Sequence, residues 1–105
     1  MANTPKKLYQ GTPNTSPSQV YKVASGKTIL KNIVMCNTTD ENRKVDVYIG
    51  GATNTHKIVA SYPVQANDTV VIDMSCVLET GETIQASQET AAAINLHISG
   101  VEVTT

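Results

Sequence analysis

The stretch INLHISGVEV, residues 94–103, decides the fold class of this chain. Every second residue from Ile94 to Ile98 is apolar, and after Gly100 the apolar positions shift by one, to Val101 and Val103. Such alternation is typical of a half-buried β-strand, because successive side chains point to opposite faces. A β-bulge inserts one extra residue, often at a glycine, so we predict a bulge at Gly100 that returns Val101 and Val103 to the core.

Similar β-rich segments fill the chain from residue 19 onward. Val, Ile and Thr supply 12, 8 and 14 of the 105 residues, and Phe and Trp are absent, so the core is expected to be β-branched. The predicted strands cover residues 19–23, 28–37, 44–49, 57–66, 69–74, 83–87 and 92–103, with a short apolar pair at 77–78. Asn67-Asp68 predicts a tight turn and a hairpin between two of them. Seven or eight strands at this spacing predict an all-β fold, an antiparallel β-sandwich that is jelly-roll-like.

Residues 1–19 differ in composition from the predicted sandwich domain, residues 20–105. They hold three of the four prolines and are mostly polar, and only Leu8 and Tyr9 offer apolar anchors. Proline removes backbone donors, so we predict an extended N-terminal arm here. Two interpretations remain open: a frayed terminus, or an arm ordered by a neighbouring subunit or host particle, with Leu8 and Tyr9 docking on its surface.

The strand predicted over residues 28–37 is apolar on both faces. One parity carries Ile29, Ile33 and Met35, and the other carries Leu30, Val34 and Cys36. A strand that is apolar on both faces is usually covered on both, so a second cover is expected from an arm, a loop or another subunit. We therefore predict that Ile29, Ile33 and Met35 belong to an interface.

Tyr48 is the other predicted surface residue. In the segment 44–49, Val45 and Val47 have the inward parity, and Tyr48 has the outward one. We predict that Tyr48 lies at an interface, and it is also the candidate for stacking on a sugar ring.

Composition and charge exclude several classes. The net charge of −1 argues against a dedicated nucleic-acid binder, which needs a cationic face. No apolar run approaches the roughly 18–20 residues of a membrane-spanning helix. Two cysteines are too few for a disulfide scaffold, and Cys36 and Cys76 are expected either to form one disulfide or to be buried thiols.

The motifs that carry chemistry are weak. Gly26-Lys27-Thr28 matches the end of a phosphate-binding loop, but Tyr21 occupies the position of the earlier glycine, and a strand follows. His56 and His97 have neither metal-ligand spacing with the cysteines nor a nucleophile and acid at a known spacing. We therefore predict no catalytic residue, metal or cofactor, and a protein that is not an enzyme.

Two longer segments carry a resemblance to a known group. The sequence VYKVASGKTILKNIVMCNT, residues 20–38, resembles a recurrent opening in small β-sandwich bacteriophage virion accessory proteins. The segments 77–84 and 94–103 resemble the C-terminal half of the same group. The resemblance implies a non-enzymatic structural protein of the virion that decorates or attaches to a capsid, collar or tail. It implies contacts with further copies of itself and with other virion proteins, whereas it is the charge and the lack of a long apolar run that argue against a nucleic-acid or membrane partner. The alternative is a carbohydrate- or receptor-binding module that recognises a host surface glycan.

Overall fold

The computed structural model describes residues 2–104, which form eight β-strands. They are β1 (Ala2–Gly11), β2 (Ser18–Lys22), β3 (Lys27–Asn37), β4 (Arg43–Ile49), β5 (Lys57–Val64), β6 (Thr69–Leu78), β7 (Thr83–Gln88) and β8 (Ile94–Thr104). The one helix in this part of the chain is a 3-10 turn at Asn54–His56. The all-β prediction is confirmed, and the strand boundaries after residue 18 lie close to the predicted ones.

The strands form two four-stranded antiparallel sheets. The first sheet has the order β1-β8-β3-β6 and the second has the order β2-β7-β4-β5. Strand β1 pairs with β8, β2 with β7, β3 with β6, and β4 with β5. This is the pairing of one long hairpin rolled over into two sheets, the eight-stranded jelly roll. The predicted β-sandwich is therefore confirmed.

Most connections cross from one sheet to the other. Only β4 and β5 are consecutive strands that pair with each other. The predicted hairpin around Asn67-Asp68 is wrong, because β5 belongs to the second sheet and β6 to the first. Asn67 still forms a turn, with φ of 56°. The apolar pair at 77–78 is the end of β6 rather than a separate element.

The core lies between the inner faces of the two sheets. Its largest side chains, all essentially inaccessible to solvent, are Leu30, Ile33, Met35, Leu78, Ile84, Ile94, Leu96, Ile98, Val23, Val45, Val47 and Val64. Fully burying one such side chain stabilises the fold by about 1.5–3 kcal/mol. Both sheets contribute side chains to this one core cluster.

The N-terminal segment belongs to the sandwich. Residues 2–11 form the edge strand β1, which pairs along β8 from Ala2 opposite Thr104 to Gly11 opposite Leu96. Leu8 is only 8% exposed and packs in the core. The structure thus replaces the predicted arm of residues 1–19 with a strand and a connection at 12–17, and Met1 lies outside the described residues. Pro5 is compatible with this because an edge strand tolerates a missing donor on its open side.

A line of bulges sets which side chains face the core of the first sheet. Relative to β8, strand β1 contains Leu8 as an extra residue opposite the Ile98–Ser99 step, and β3 contains Lys31 as an extra residue opposite the Ser99–Gly100 step. The predicted bulge of β8 at Gly100 is therefore wrong, because the extra residues lie in its neighbours. Gly100 keeps the inward phase and is buried. The bulge at Lys31 changes the phase of β3, so that Leu30 and Ile33 both face the core.

Candidate interaction surface

The outer face of the first sheet carries a row of apolar side chains across all four strands. Pro5 of β1 pairs with Val101 of β8, Val101 pairs with Ile29 of β3, and Ile29 pairs with Val77 of β6. Directly paired residues share one face of a sheet. This face is the outer one, because the neighbours of Ile29 and Val77 in sequence, Leu30 and Leu78, are buried in the core. We call this set row 1.

A second row crosses the same face on the other side of the bulges. Gln10 pairs with His97, His97 with Val34, and Val34 with Val71. Val71 and Val77 are 55% and 56% exposed, the highest values among the large apolar side chains of residues 2–104. We call this set row 2. Both rows therefore end at an exposed valine on the edge strand β6.

Polar side chains separate the two rows. Asn32 Nδ2 donates to Asp73 Oδ1 at 3.1 Å, and Lys31 Nζ donates to Ser75 Oγ at 3.2 Å. The outer face thus consists of two partly apolar rows on either side of a hydrogen-bonded polar row. All eight strands of residues 2–104 belong to the two sheets, so no third layer of strands covers this face.

A shallow concavity of about 330 Å³ lies at the row 2 end of this surface. It is lined by the polar side chains of Gln10, Asn95 and His97 and by the apolar side chains of Val34 and Cys36, among others. His97 Nδ1 lies 3.3 Å from Ser99 Oγ, and the His97 ring forms part of the lining of the concavity. Amide and imidazole groups beside apolar ones suit a small polar ligand with some apolar surface.

The predicted interface residues fall into different layers. Ile29 lies on the outer face and is partly exposed, so it remains a candidate for an interface. Leu8, Ile33 and Met35 are core residues with 8%, 0% and 0% exposure, so they are not free to contact another subunit. Tyr9 is half-buried and packs against the core, and this burial raises the pKa of its phenol. The prediction of Ile33 and Met35 on the face of Ile29 is wrong because the bulge at Lys31 lies between them.

Tyr48 is also buried, with 5% exposure. Lys57 of β5 pairs with Tyr48, and its Nζ lies 5.7 Å from the centre of the ring. The Tyr48 hydroxyl lies 3.5 Å from Ser87 Oγ, and Lys57 is held in place by an ion pair of 3.6 Å with Asp46. The ring therefore has no free face for a sugar, and the prediction of Tyr48 as a stacking or interface residue is corrected.

The two cysteines and two histidines do not form one cluster, although Cys36 and His97 both line the concavity. Cys36 and Cys76 are both free and half-buried, with Cys36 on the outer face and Cys76 packed against the core. His56 lies in the 3-10 turn, where its Nδ1 is 2.8 Å from Thr53 Oγ1. Among residues 2–104, no three His, Cys, Asp or Glu side chains are close enough to hold a metal ion. No helix in this range has the length and apolar character to span a membrane.

Comparison of the chain with known proteins assigns it to no family. No model of a known protein family matches this chain, and no curated protein sequence is significantly similar to it.

Sequence reasoning missed Val71 and Val77 as surface residues. The signal was present, because apolar residues alternate without a break from Val70 to Leu78. Dividing this segment at Met74 hid the fact that one strand presents both valines on its outer side.

Proposed function

We propose that this chain is a non-enzymatic structural component of a bacteriophage virion, which decorates or attaches to a capsid, collar or tail. In this proposal the outer face of the first sheet contacts neighbouring proteins, including further copies of the chain. Two general arguments support it: the resemblance of residues 20–38, and the eight-stranded jelly roll, an architecture that recurs in capsid proteins and lectins.

Row 1 is the observation that carries the proposal. Pro5, Val101, Ile29 and Val77 form an apolar row on a face that no other strand of residues 2–104 covers. Burying the exposed part of one such side chain against a partner contributes on the order of 1 kcal/mol. A particle that holds many copies adds such weak contacts together, so a modest surface suffices for attachment.

The test is the copy number of the protein in purified particles. Quantitative mass spectrometry should find the wild-type chain in a fixed ratio to the main shell protein. Ile29→Asp introduces a charge into row 1 and should lower that ratio about tenfold, because the unpaired carboxylate loses its hydration in a contact. Ile58→Asp is the matched control, since Ile58 is an exposed isoleucine of β5 in the other sheet.

Two results would overturn the proposal. One is the absence of the wild-type chain from particles of the phage that encodes it. The other is an Ile29→Asp variant that keeps its melting temperature and its full copy number.

The concavity at Gln10, Asn95 and His97 favours a second candidate, a carbohydrate- or receptor-binding module. Its amide and imidazole groups are of the kind that bind sugar hydroxyls. A glycan array probed with the wild-type chain and with His97→Ala tests it: binding that depends on His97 supports this function, and a silent array contradicts it. Tyr48→Ala is not a useful probe, because that ring is buried.

A further inference from the structure

The four edge strands of the sandwich differ in how they are protected. An edge strand exposes unpaired N–H and C=O groups, and proteins usually block them with proline, lysine, bulges or short length. Strand β1 contains Pro5, Lys6 and Lys7, and β2 has only five residues. Strand β5 contains Lys57 and Pro63 and pairs irregularly with β4.

Strand β6 lacks most of these features. It is ten residues long, contains no proline, lysine or arginine, and carries a single charged side chain, Asp73. It pairs only with β3, so its other side is open. Its two exposed valines, Val71 and Val77, lie three residues before and three residues after Met74. The strand is therefore symmetric in the placement of its exposed apolar groups.

We propose that β6 pairs antiparallel with β6 of a second copy across a two-fold axis at Met74. The first sheets of the two copies then join into one continuous eight-stranded sheet. This inference deepens the self-association in the proposed function and rests on that part of it. It does not depend on particle attachment through row 1.

The side chains select this register over its neighbours. An axis at Met74 places Val71 opposite Val77 of the second copy, and Asp73 opposite Ser75. An axis at Asp73 would place two like charges directly opposite each other, which is destabilising. An axis at Ser75 would place Val77 opposite Asp73. An axis between two residues would align the outer face of one copy with the inner face of the other, because side chains alternate along a strand.

Charge supports the same register. Lys31 Nζ donates to Ser75 Oγ within each copy at 3.2 Å. Because Ser75 of the second copy lies opposite Asp73, the ammonium group of Lys31 in that copy comes close to the Asp73 carboxylate. A lysine on each copy thus faces an aspartate on the other, and both pairs are made by one symmetric contact.

The bulge of β6 is compatible with this pairing. Relative to β3, strand β6 has one extra residue between Asp73 and Cys76. The axis places this irregularity at the centre of the contact in both copies, and the flanking segments remain free to form ladder hydrogen bonds. Row 1 of one copy then continues through Val77 and Val71 into row 2 of the other.

The experiment measures self-association of the full chain by sedimentation equilibrium over a concentration series. The wild-type chain should dimerise. The double variant that carries both Val71→Lys and Val77→Lys should have a dissociation constant about 100-fold higher, because each of the two Val71–Val77 pairs becomes a pair of lysines. Ile58→Lys should leave the dissociation constant unchanged, since it makes the same substitution at an exposed apolar residue of β5. Both valines are more than half exposed, so the monomer should keep its melting temperature.

A charge-swapped variant tests the register. In Val71→Lys with Val77→Glu, the lysine at position 71 meets the glutamate at position 77 of the second copy. Dimerisation should return to within about tenfold of wild type and should weaken with added salt.

Three results would overturn the inference: a wild-type chain that stays monomeric, a double-lysine variant that dimerises as wild type does, or a charge-swapped variant no better than the double-lysine one. None of them bears on the copy-number test with Ile29→Asp. A monomeric chain that is nevertheless present in particles would therefore contradict the β6 pairing and leave the proposed function standing.

Discussion

The Tyr21 hydroxyl donates a hydrogen bond of 2.6 Å to Glu102 Oε2 and so joins strand β2 of the second sheet to β8 of the first. The Tyr21 oxygen also lies 2.8 Å from Thr28 Oγ1, and Lys6 Nζ lies 3.3 Å from the Glu102 carboxylate. Burial raises the pKa of Tyr21, and the hydrogen bond to Glu102 adds to that effect. The hydrogen bond from Tyr21 lowers the pKa of Glu102, with a smaller contribution from Lys6. This cluster ties the two sheets together at one end of the sandwich.

The stability contributed by Glu102 should depend on pH. Because its pKa is lower in the folded chain than in the unfolded one, the contribution is complete above the unfolded pKa and disappears as pH falls through the folded pKa. Glu102→Gln should therefore lower the melting temperature at pH 7, and the difference from wild type should shrink below about pH 4. Glu89→Gln, an exposed carboxylate in the β7–β8 connection, is the control. A Glu102→Gln deficit that persists unchanged in acid would contradict this assignment.

Gly100 should tolerate no larger residue. A Cβ at this position would lie 2.5 Å from the Ile29 carbonyl oxygen and 2.9 Å from Leu8 Cδ1. Gly100→Ala should cost about 1–3 kcal/mol of unfolding free energy, because backbone in a sheet cannot move away. Gly81→Ala is the comparison: it has a positive φ but open space, so it should cost about 1 kcal/mol for the backbone alone. Urea denaturation measures both, and a smaller loss for Gly100→Ala would show that the bulge at Leu8 relaxes.

Leu8 distinguishes a strand from an arm. Because Leu8 is a core residue of β1, Leu8→Ala should lower the free energy of unfolding of the protein by about 2–3 kcal/mol. Lys7→Ala, next to it and exposed, should change the unfolding free energy by less than about 0.5 kcal/mol. If the N-terminal segment were an arm, deleting residues 2–18 would change the melting temperature by only a few degrees. Thermal denaturation of that deletion variant should show that the domain no longer folds cooperatively.

Asn37 should be the most sensitive polar position. Its side chain is inaccessible, donates to the carbonyl oxygens of Glu41 and Val64 at 2.7 and 2.9 Å, and accepts from the Thr39 N–H and hydroxyl. Asn37→Leu leaves the buried Val64 carbonyl and the part-buried groups of Thr39 and Glu41 without this partner, so a loss of about 2–4 kcal/mol in guanidinium denaturation is expected. Asn54→Leu, at an exposed position in the 3-10 turn, should be nearly neutral. Equal losses for the two variants would contradict a role for the hydrogen bonds of Asn37.

The sequence was sufficient to find seven of the eight strands of residues 2–104, but it missed β1 and did not give the correct orientation of every strand. Alternation is a local property, so the segment ending at Ile98 could be recognised as a strand without any knowledge of its neighbours. Which side chains of a bulged strand face the core is not a local property, because a bulge is defined by pairing with a neighbouring strand. Leu8 and Lys31 are extra residues only with respect to β8, and nothing in their own segments marks them as such. The positions of Ile33 and Met35 were misassigned for this reason.

The candidate surface was predictable in part. Ile29 was identified because its strand is apolar on both parities, a pattern that requires no tertiary information. Tyr48 was misassigned because its cover, Lys57, comes from the paired strand β5 at an irregular register. The open side of β6 follows only from the order of strands in the sheet, which depends on pairings between distant parts of the chain.

The pairing of Ala2 with Thr104 has a consequence for synthesis of the protein. Strand β8 lies between β1 and β3, so the first sheet cannot close until residues 94–104 have left the ribosome. Until then β1 has no partner strand within residues 2–104, although β3 can already pair with β6 and the four strands of the second sheet can pair with one another. Completion of the fold should therefore wait for β8, and it should be slow in comparison with helical proteins of equal length because its contacts join distant residues.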